Sequence, residues 1–204
     1  MGLLNDLGIG GDFDIAESEK RMESGGLAPE GIHHAVLNGA SEKQIDGAKR
    51  GFDLVFQILA GPGEGMTVKE TVWLPKGEDA KKDQTTKDRF VRFGLHLGLF
   101  QEVLQGGKRI PTEIPNKHSF MDCLGAQCFI DVTHEEREWK KDGQAKGKMI
   151  KEAKLSFRPG LFLMTDPQCS KIARASGAAV TAAATSAQDQ AKTAATSPHL
   201  YADV

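Results

Sequence analysis

Hydrophobic and polar residues alternate along two neighbouring segments in the first half of the chain. In Gly51–Leu59 the even-numbered positions from 52 onward are all apolar. In Met66–Leu74 the even-numbered positions are apolar with one exception, and the odd-numbered positions hold polar residues and a tryptophan. Because a half-buried strand has a period of two residues, both segments are predicted to be strands. Lys69 and Trp73 then share the face turned away from the core.

Three more strands are expected, one before these two and two after them. A first strand with weaker alternation runs from Ile32 to about Ile45, and a fourth runs from Cys128 to about Trp139. A fifth is expected over Leu155–Met164. The lysine-rich segment before it, Lys140–Lys148, has the composition of a flexible loop. The chain is therefore expected to contain five strands.

A single strong helix is predicted between the third and fourth strands. From about Asp79 to Leu104 the apolar residues recur every three or four positions, which places them on one side of a helix. The helix is expected to be interrupted or to end near Gly98, and Pro111 indicates a loop after it. The apolar stripe consists of Phe90, Phe93, Leu97, Phe100 and Leu104.

Three strands, a helix and two more strands are the element order of an OB-fold. The expected fold class is thus mainly β, an OB-fold-like five-stranded barrel over residues 31–170 with one main helix between strands three and four. In such a barrel the face of strands two and three binds oligonucleotides, together with the loops joining strands one to two and four to five. This chain carries basic residues in both of those loops.

The two ends of the chain differ in composition from the middle. Residues 1–30 form an acidic leader with seven acidic and two basic residues, a net charge of −5. Residues 171–204 are rich in Ala, Ser and Thr, with almost no large apolar side chain before Leu200 and Tyr201. Such a segment cannot bury enough surface to offset its ordering entropy, so a disordered tail with a short apolar and acidic tip is predicted. The middle is close to neutral, so any nucleic-acid footprint must be local.

Several classes of function are disfavoured. The three cysteines form no CxxC or CxxH pair, which argues against a disulfide framework and a zinc site. His33 and His34 would point to opposite faces of a strand, so they cannot hold one ion together. No run approaches the roughly 20 apolar residues of a membrane span, and no secretory signal is visible, which predicts a cytoplasmic protein. No nucleophile, carboxylate pair or phosphate-binding loop stands out, so we expect no catalysis, no metal and no cofactor.

Basic and aromatic residues gather where an OB-fold binds oligonucleotides. Lysine and arginine neutralise phosphates, and aromatic rings stack on bases. The alternative for Trp73 is a core or edge aromatic, and the alternative for the lysines is a solvated loop. The candidate nucleic-acid-binding residues are Lys49, Arg50, Lys69, Trp73, Trp139, Lys140, Lys141, Lys146, Lys148, Lys151, Lys154, Phe157 and Arg158.

A pattern of glycines, apolar residues and two arginines also runs along the chain. It consists of Gly11–Asp14, Pro29–Gly31, Phe52–Leu59, Gly61–Pro62, Gly65, Arg89, Arg92, Leu97–Leu99 and Leu124–Gly125. This pattern resembles a family of phage-encoded proteins known as domain of unknown function 669. The resemblance covers roughly residues 11 to 165 and implies an OB-like protein similar to single-stranded-DNA-binding proteins. It assigns no role to an individual residue.

Together these features predict a protein that binds single-stranded DNA with little sequence preference and supports phage-type DNA replication or recombination in the host cytoplasm. The C-terminal tip is a candidate contact for replication or recombination proteins, and an oligomer is compatible with the sequence. One alternative is an OB-like adaptor whose same face docks a nuclease, recombinase or helicase. Another is a structural component of the virion.

Overall fold

The computed structural model describes residues 26–45, 49–77, 79–141, 144–177, 180 and 185. At residues 49, 139–141, 144–146 and 148 it describes the backbone alone. The acidic leader as far as residue 25 and the C-terminal tip lie outside the described residues. The expectations for these two segments therefore stay predictions.

Antiparallel strands dominate the described part of the chain, with one long helix between the third and fourth strands. This confirms the mainly β class and the position of the helix. The strands and the helix are β1 (Gly31–Ile45), β2 (Lys49–Ile58), β3 (Thr67–Trp73), α1 (Ala80–Leu97), β4 (Phe100–Gln105), β5 (Lys108–Glu113), β6 (Gln127–Lys141), β7 (Gln144–Leu155) and β8 (Leu161–Phe162). The described residues also include two 3₁₀ turns, at Phe120–Cys123 and Pro167–Cys169.

The main sheet has the strand order β3-β2-β1-β6-β7, with β8 beside β6. All its neighbouring pairs are antiparallel. The first three strands occupy the segments that the alternation predicts. A β-bulge between Leu37 and Gly39 shifts the register of β1 against β2, and a second irregularity lies between Glu138 and Lys140 in β6. Bulges of this kind increase the local twist and bend of a strand.

The predicted five-stranded barrel does not close in the described part of the chain. The strands at the two ends of the sheet, β3 and β7, form no backbone ladder with each other. A cavity of about 250 Å³ lies between them, lined by Glu70 of β3, Arg89 of α1 and Lys154 of β7. Long charged side chains thus occupy the seam where a ladder would have to form.

Helix α1 packs on the core side of the sheet. Its N-cap is Asp79, whose side chain accepts hydrogen bonds from the backbone N–H groups of Lys81 and Lys82, both at 3.0 Å. Such a cap stabilises a helix by about 1 kcal/mol. The helix ends at Gly98, which has the left-handed φ of 75° that glycine tolerates best. Phe93 and Leu97 are buried against the sheet.

The prediction that the helical stripe continues beyond Gly98 is wrong. Phe100 and Leu104 belong to β4, which pairs with β5 in a separate two-stranded ribbon, and Pro111 lies in β5. Phe100 matched the helical spacing because it folds back onto α1. A Cβ on Gly94 would overlap the Phe100 ring, and the ring centroids of Phe90 and Phe100 are 5.8 Å apart.

The predicted fifth strand is correct only in part. Its residues Leu161 and Phe162 form the short strand β8, which pairs with β6. The long strand that forms a hairpin with β6 is β7, which begins at Gln144 and ends where the predicted strand begins. Backbone pairing continues to Lys140 opposite Ala145 and Lys141 opposite Gln144. The lysine-rich segment is therefore mainly strand, with residues 142 and 143 outside the description. The pattern misled because residues 135–138 and 140–141 are all polar, which leaves no two-residue period to detect.

Arg174 and Ala175, which follow the last 3₁₀ turn, contact the body of the fold. The guanidinium of Arg174 lies 5.2 Å from the Phe129 ring centroid and donates a hydrogen bond to the carbonyl of Met164. The Ala175 N–H donates to Nδ1 of buried His34 at 3.1 Å, so His34 uses Nε2–H to donate to Gln127. Burial lowers the pKa of His34, and the nearby charge of Arg174 lowers it as well. The hydrogen bond with Gln127 raises the pKa but does not outweigh these two effects. The neutral imidazole therefore anchors this segment.

Candidate nucleic-acid interface

The outward surface of β1, β2 and β3 is built from three rows of facing residues, which we call the outer face. The residues of opposite parity, such as Leu54 and Phe56, are fully buried in the core. This alternation places Lys69 and Trp73 on one surface. From one end, the rows are Lys43, Gly51 and Trp73; then Ser41, Asp53 and Thr71; then Gly39, Val55 and Lys69.

A glycine makes room for the indole at one end of the outer face. A Cβ built on Gly51 would lie 2.8 Å from Cε3 of Trp73 and 2.7 Å from the carbonyl oxygen of Val72. Lys43 lies across the same glycine, with Nζ 5.7 Å from the Trp73 ring centroid, which is within cation–π range. Trp73 is partly exposed. The indole is thus positioned by its neighbours and still presents surface on which a base could stack.

A hydrogen-bonded network fixes the lysine beside the indole. Nζ of Lys43 lies 2.9 Å from Oδ2 of Asp53, and the Thr71 hydroxyl donates to Oδ1 of Asp53 at 2.5 Å. Partial burial raises the pKa of the Asp53 carboxyl, but the bonds from Lys43 and Thr71 and the charges of Lys43 and Lys69 outweigh it. The net pKa is lowered. Asp53 therefore stays ionised and holds Lys43 against Trp73.

The outer face forms one wall of a cleft of about 780 Å³. The opposite side carries Arg137, Glu152 and Lys154 of the β6–β7 hairpin. Arg137 is ion-paired with Glu152, and Lys154 Nζ lies 3.4 Å from Oε2 of Glu135. Exposed ion pairs contribute little to stability, so these cations can turn to a phosphate at small cost. Cations of both walls line the cleft, together with three carboxylates that are each paired with a neighbouring cation: Asp53, Glu70 and Glu152.

The other sequence-predicted residues divide into three groups. Arg50 and Lys151 are exposed, but neither lies on the cleft side of its strand. Arg50 lies on the side of β2 opposite to Gly51, and Lys151 lies on the side of β7 opposite to Lys154. Phe157 and Arg158 follow β7 and lie against α1. The side chains of Lys49, Trp139, Lys140, Lys141, Lys146 and Lys148 lie outside the description, so their predicted roles stay predictions.

Arginines of α1 are the part of the site that the strand pattern could not reveal. Arg89 lies 3.1 Å from Glu70 Oε1 and donates a hydrogen bond to the carbonyl of Phe157 at 3.0 Å. Arg92 is exposed on the same side of the helix. Burial raises the pKa of Glu70, an effect that Arg89 only partly offsets. The one sequence signal is the spacing of two arginines by three residues on a helix.

The remaining candidate chemistry is structural. Among the described residues, no three His, Cys, Asp or Glu side chains come close enough to hold a metal ion. Cys123, Cys128 and Cys169 are buried and free, and burial raises the pKa of each thiol. His33 donates to the carbonyl of Pro29 at 2.9 Å. These groups are used in packing and hydrogen bonding.

Within the described residues, every helix is too short or too polar to cross a membrane. A comparison with models of known protein families found no match, and a search of curated proteins found none either. We therefore infer the function from the outer face and the surfaces that adjoin it.

Proposed function

We propose that this protein binds single-stranded DNA along the outer face, with little sequence preference, in phage-type replication or recombination. Lys43 and Lys69 neutralise phosphates, and Trp73 stacks on a base. Stacking on an aromatic ring contributes about 1 to 3 kcal/mol per base whatever the base is, which gives affinity without sequence preference. The site of action under this proposal is the host cytoplasm, and no cofactor takes part.

The observation that carries the proposal is the row of Lys43, Gly51 and Trp73. Trp73 is partly exposed and lines the large cleft, so a base can reach part of its ring. Its cationic neighbour is held 5.7 Å from the ring centroid, where a strand of DNA would bring a base and a phosphate together. Lys69, two rows away on the same face, offers a second exposed phosphate contact.

The strand order supports an OB-like assignment. With β6 and β7 as the fourth and fifth strands, the order is that of an OB barrel opened between its third and fifth strands, with β4 and β5 as an added ribbon. OB-folds are five-stranded, partly open barrels that bind oligonucleotides on the face of strands two and three. The outer face is the equivalent surface. The resemblance to the phage-encoded family agrees with this assignment. The proposal includes membership of the chain in that family.

Fluorescence anisotropy with labelled oligo-dT, the matching duplex and the matching RNA tests the proposal. Oligo-dT should bind at low salt, and its affinity should fall with salt by a slope of about 0.7 for each phosphate contact. Trp73→Ala and Lys69→Ala should weaken binding, whereas Lys87→Ala should not, because Lys87 is exposed on α1 and does not line the cleft. Absence of oligo-dT binding at low salt would reject the function.

One observation favours a protein-interaction adaptor as a second candidate, through a different surface from the outer face. The β4–β5 ribbon carries Val103, Leu104 and Ile110 with exposed apolar side chains, and Leu104 is 73% exposed. Exposed apolar residues on a ribbon suit contact with a protein partner. An apolar protein interface changes little with salt, whereas phosphate contacts weaken steeply. A complex that persists at high salt and is lost in a Leu104→Ser variant would favour the adaptor.

A further inference from the structure

A second cavity lies beside the seam between β3 and β7, on the outside of α1. We call it the arginine pocket. Its volume is about 450 Å³, and it is lined on the helix side by Arg89 and Arg92 and on the loop side by Phe157 and Arg158. Asp88 is the one acidic residue that lines it. The lining therefore has an excess of positive charge.

Two of the three arginines are available to a ligand. Arg89 is held by its ion pair with Glu70 and its hydrogen bond to the Phe157 carbonyl. Arg92 makes a long hydrogen bond of 3.4 Å to the carbonyl of Leu161. In the described part of the chain, neither Arg92 nor Arg158 forms an ion pair with a carboxylate. Their guanidinium groups suit a phosphate, which they can bind with two parallel hydrogen bonds.

An exposed aromatic ring lies between the arginines. Phe157 is 60% exposed. The Arg89 guanidinium carbon is 5.2 Å from its ring centroid, and that of Arg158 is 5.7 Å away. A phenylalanine this exposed gains little from the fold, but with flanking guanidinium groups it offers the stacking surface that single-strand-binding proteins use. The pocket thus combines a place for a base with a place for a phosphate.

The cavity at the seam connects the arginine pocket with the outer face. That cavity is lined by Trp73 and Thr71 on one side and by Arg89 and Phe157 on the other. The carboxylates along it are compensated, since Glu70 pairs with Arg89 and Glu135 pairs with Lys154. A strand that crosses Trp73 therefore meets no uncompensated acidic side chain among the described residues on its way to Phe157.

We infer that the arginine pocket is a second nucleotide subsite, which receives a nucleotide of the same DNA strand that crosses the outer face. Its base stacks on Phe157, and its phosphate is bound by Arg92 and Arg158. The DNA path then turns from the sheet across the open seam onto α1. This inference rests on the proposed function of the outer face.

The test measures the affinity and salt slope of oligo-dT of about 16 nucleotides, the upper end of the site size of an OB-fold. Phe157→Ala should weaken binding by about 5-fold to 150-fold, the fold-change equivalent to the loss of one stacked base. Arg158→Ala should weaken binding and lower the salt slope by about 0.7, the value for one phosphate contact. Lys87→Ala removes the same charge from the opposite side of α1 and should change neither quantity.

The outcomes separate the two ideas. If the wild-type protein fails to bind oligo-dT, the proposed function is wrong and the subsite falls with it. If the wild type binds oligo-dT and both Phe157→Ala and Arg158→Ala retain the wild-type affinity, the subsite alone is wrong. Equal losses in Lys87→Ala and Arg158→Ala would indicate a general effect of charge and would also reject the subsite. Both pocket side chains are exposed, so thermal unfolding should match the wild type.

Discussion

The substitution Gly51→Ala tests how the indole is held on the outer face. The backbone of Gly51 is not in the left-handed region, so alanine meets no conformational penalty there. Its new Cβ would, however, lie 2.7 Å from the carbonyl oxygen of Val72 and 2.8 Å from Cε3 of Trp73. The backbone carbonyl cannot rotate away as a side chain does. Strands β2 and β3 must separate locally, and the indole must leave its position.

The magnitude follows from two opposing effects. Overpacking of this kind costs about 1 to 3 kcal/mol. Replacing glycine by alanine also restricts the unfolded chain, which stabilises the fold by about 0.4 to 1 kcal/mol. The mid-range values leave a net destabilisation of about 1.3 kcal/mol, which lowers Tm by about 3 to 5 °C in a protein of this size. Binding should change as well. If the displaced indole no longer stacks, the free energy of oligo-dT binding should become less favourable by about 1 to 3 kcal/mol, which lowers the affinity about 5-fold to 150-fold.

The assay combines thermal unfolding, Trp73 emission and oligo-dT anisotropy. A Trp139→Phe background leaves Trp73 as the single tryptophan, since the chain has two. Gly39→Ala is the matched control, because it is the same change on the same face and its Cβ would lie 3.4 Å from the Val55 Cβ, an ordinary contact. If Gly51→Ala retains wild-type stability, emission and affinity, the indole is not held against Gly51 and the reasoning is refuted.

Three other predictions concern the hairpin, the histidines and the tail. Replacing four lysines of the β6–β7 hairpin by alanine should lower the oligo-dT salt slope by about 0.7 per lost contact and change stability by less than about 0.5 kcal/mol; an unchanged slope would show that they only solvate the hairpin. These lysines are Lys140, Lys141, Lys146 and Lys148. His34 and the partly buried His96 of α1 both have a pKa lowered by burial, so the unfolded state binds their protons more tightly, and urea unfolding should show stability falling as pH drops below about 6.5. His34→Gln should remove part of this dependence, and an identical pH profile would contradict the role of His34. Deleting residues 178–204 should leave oligo-dT affinity and Tm nearly unchanged, whereas deleting residues 173–204 removes the contacts of Arg174 and Ala175 and should lower Tm. Loss of DNA binding after deletion of residues 178–204 would show that the binding surface is misplaced.

The parts of the fold that could be predicted are those where burial on one side of an element imposes a period. In β2 and β3 the alternation places Phe56 and Val68 in the core and Trp73 outside it. The same logic gives α1, whose end is marked by Gly98. Local periodicity and local stop signals are sufficient for such elements because each depends on neighbours in the chain.

The parts that could not be predicted lack that period. All residues of β4 and β5 are exposed except Phe100, which is partly buried, so backbone pairing stabilises the ribbon without a buried parity. In residues 144–148, the first part of β7, no large apolar residue marks a buried side of the strand. The seam and the arginine pocket arise between distant segments, with Arg89 and Phe157 separated by 68 positions. No local pattern reports such a contact, which depends on the tertiary packing of α1 against the end of β7.

The emission of Trp73 during an oligo-dT titration tests the central claim most directly. With Trp139→Phe as the background, we predict saturable quenching at low salt that is reversed when salt is raised, because stacking brings a base against the indole and phosphate contacts hold it there. Anisotropy recorded in the same cuvette should give the same midpoint. If anisotropy shows binding while Trp73 emission stays constant, the DNA lies elsewhere and the outer face is not the binding surface.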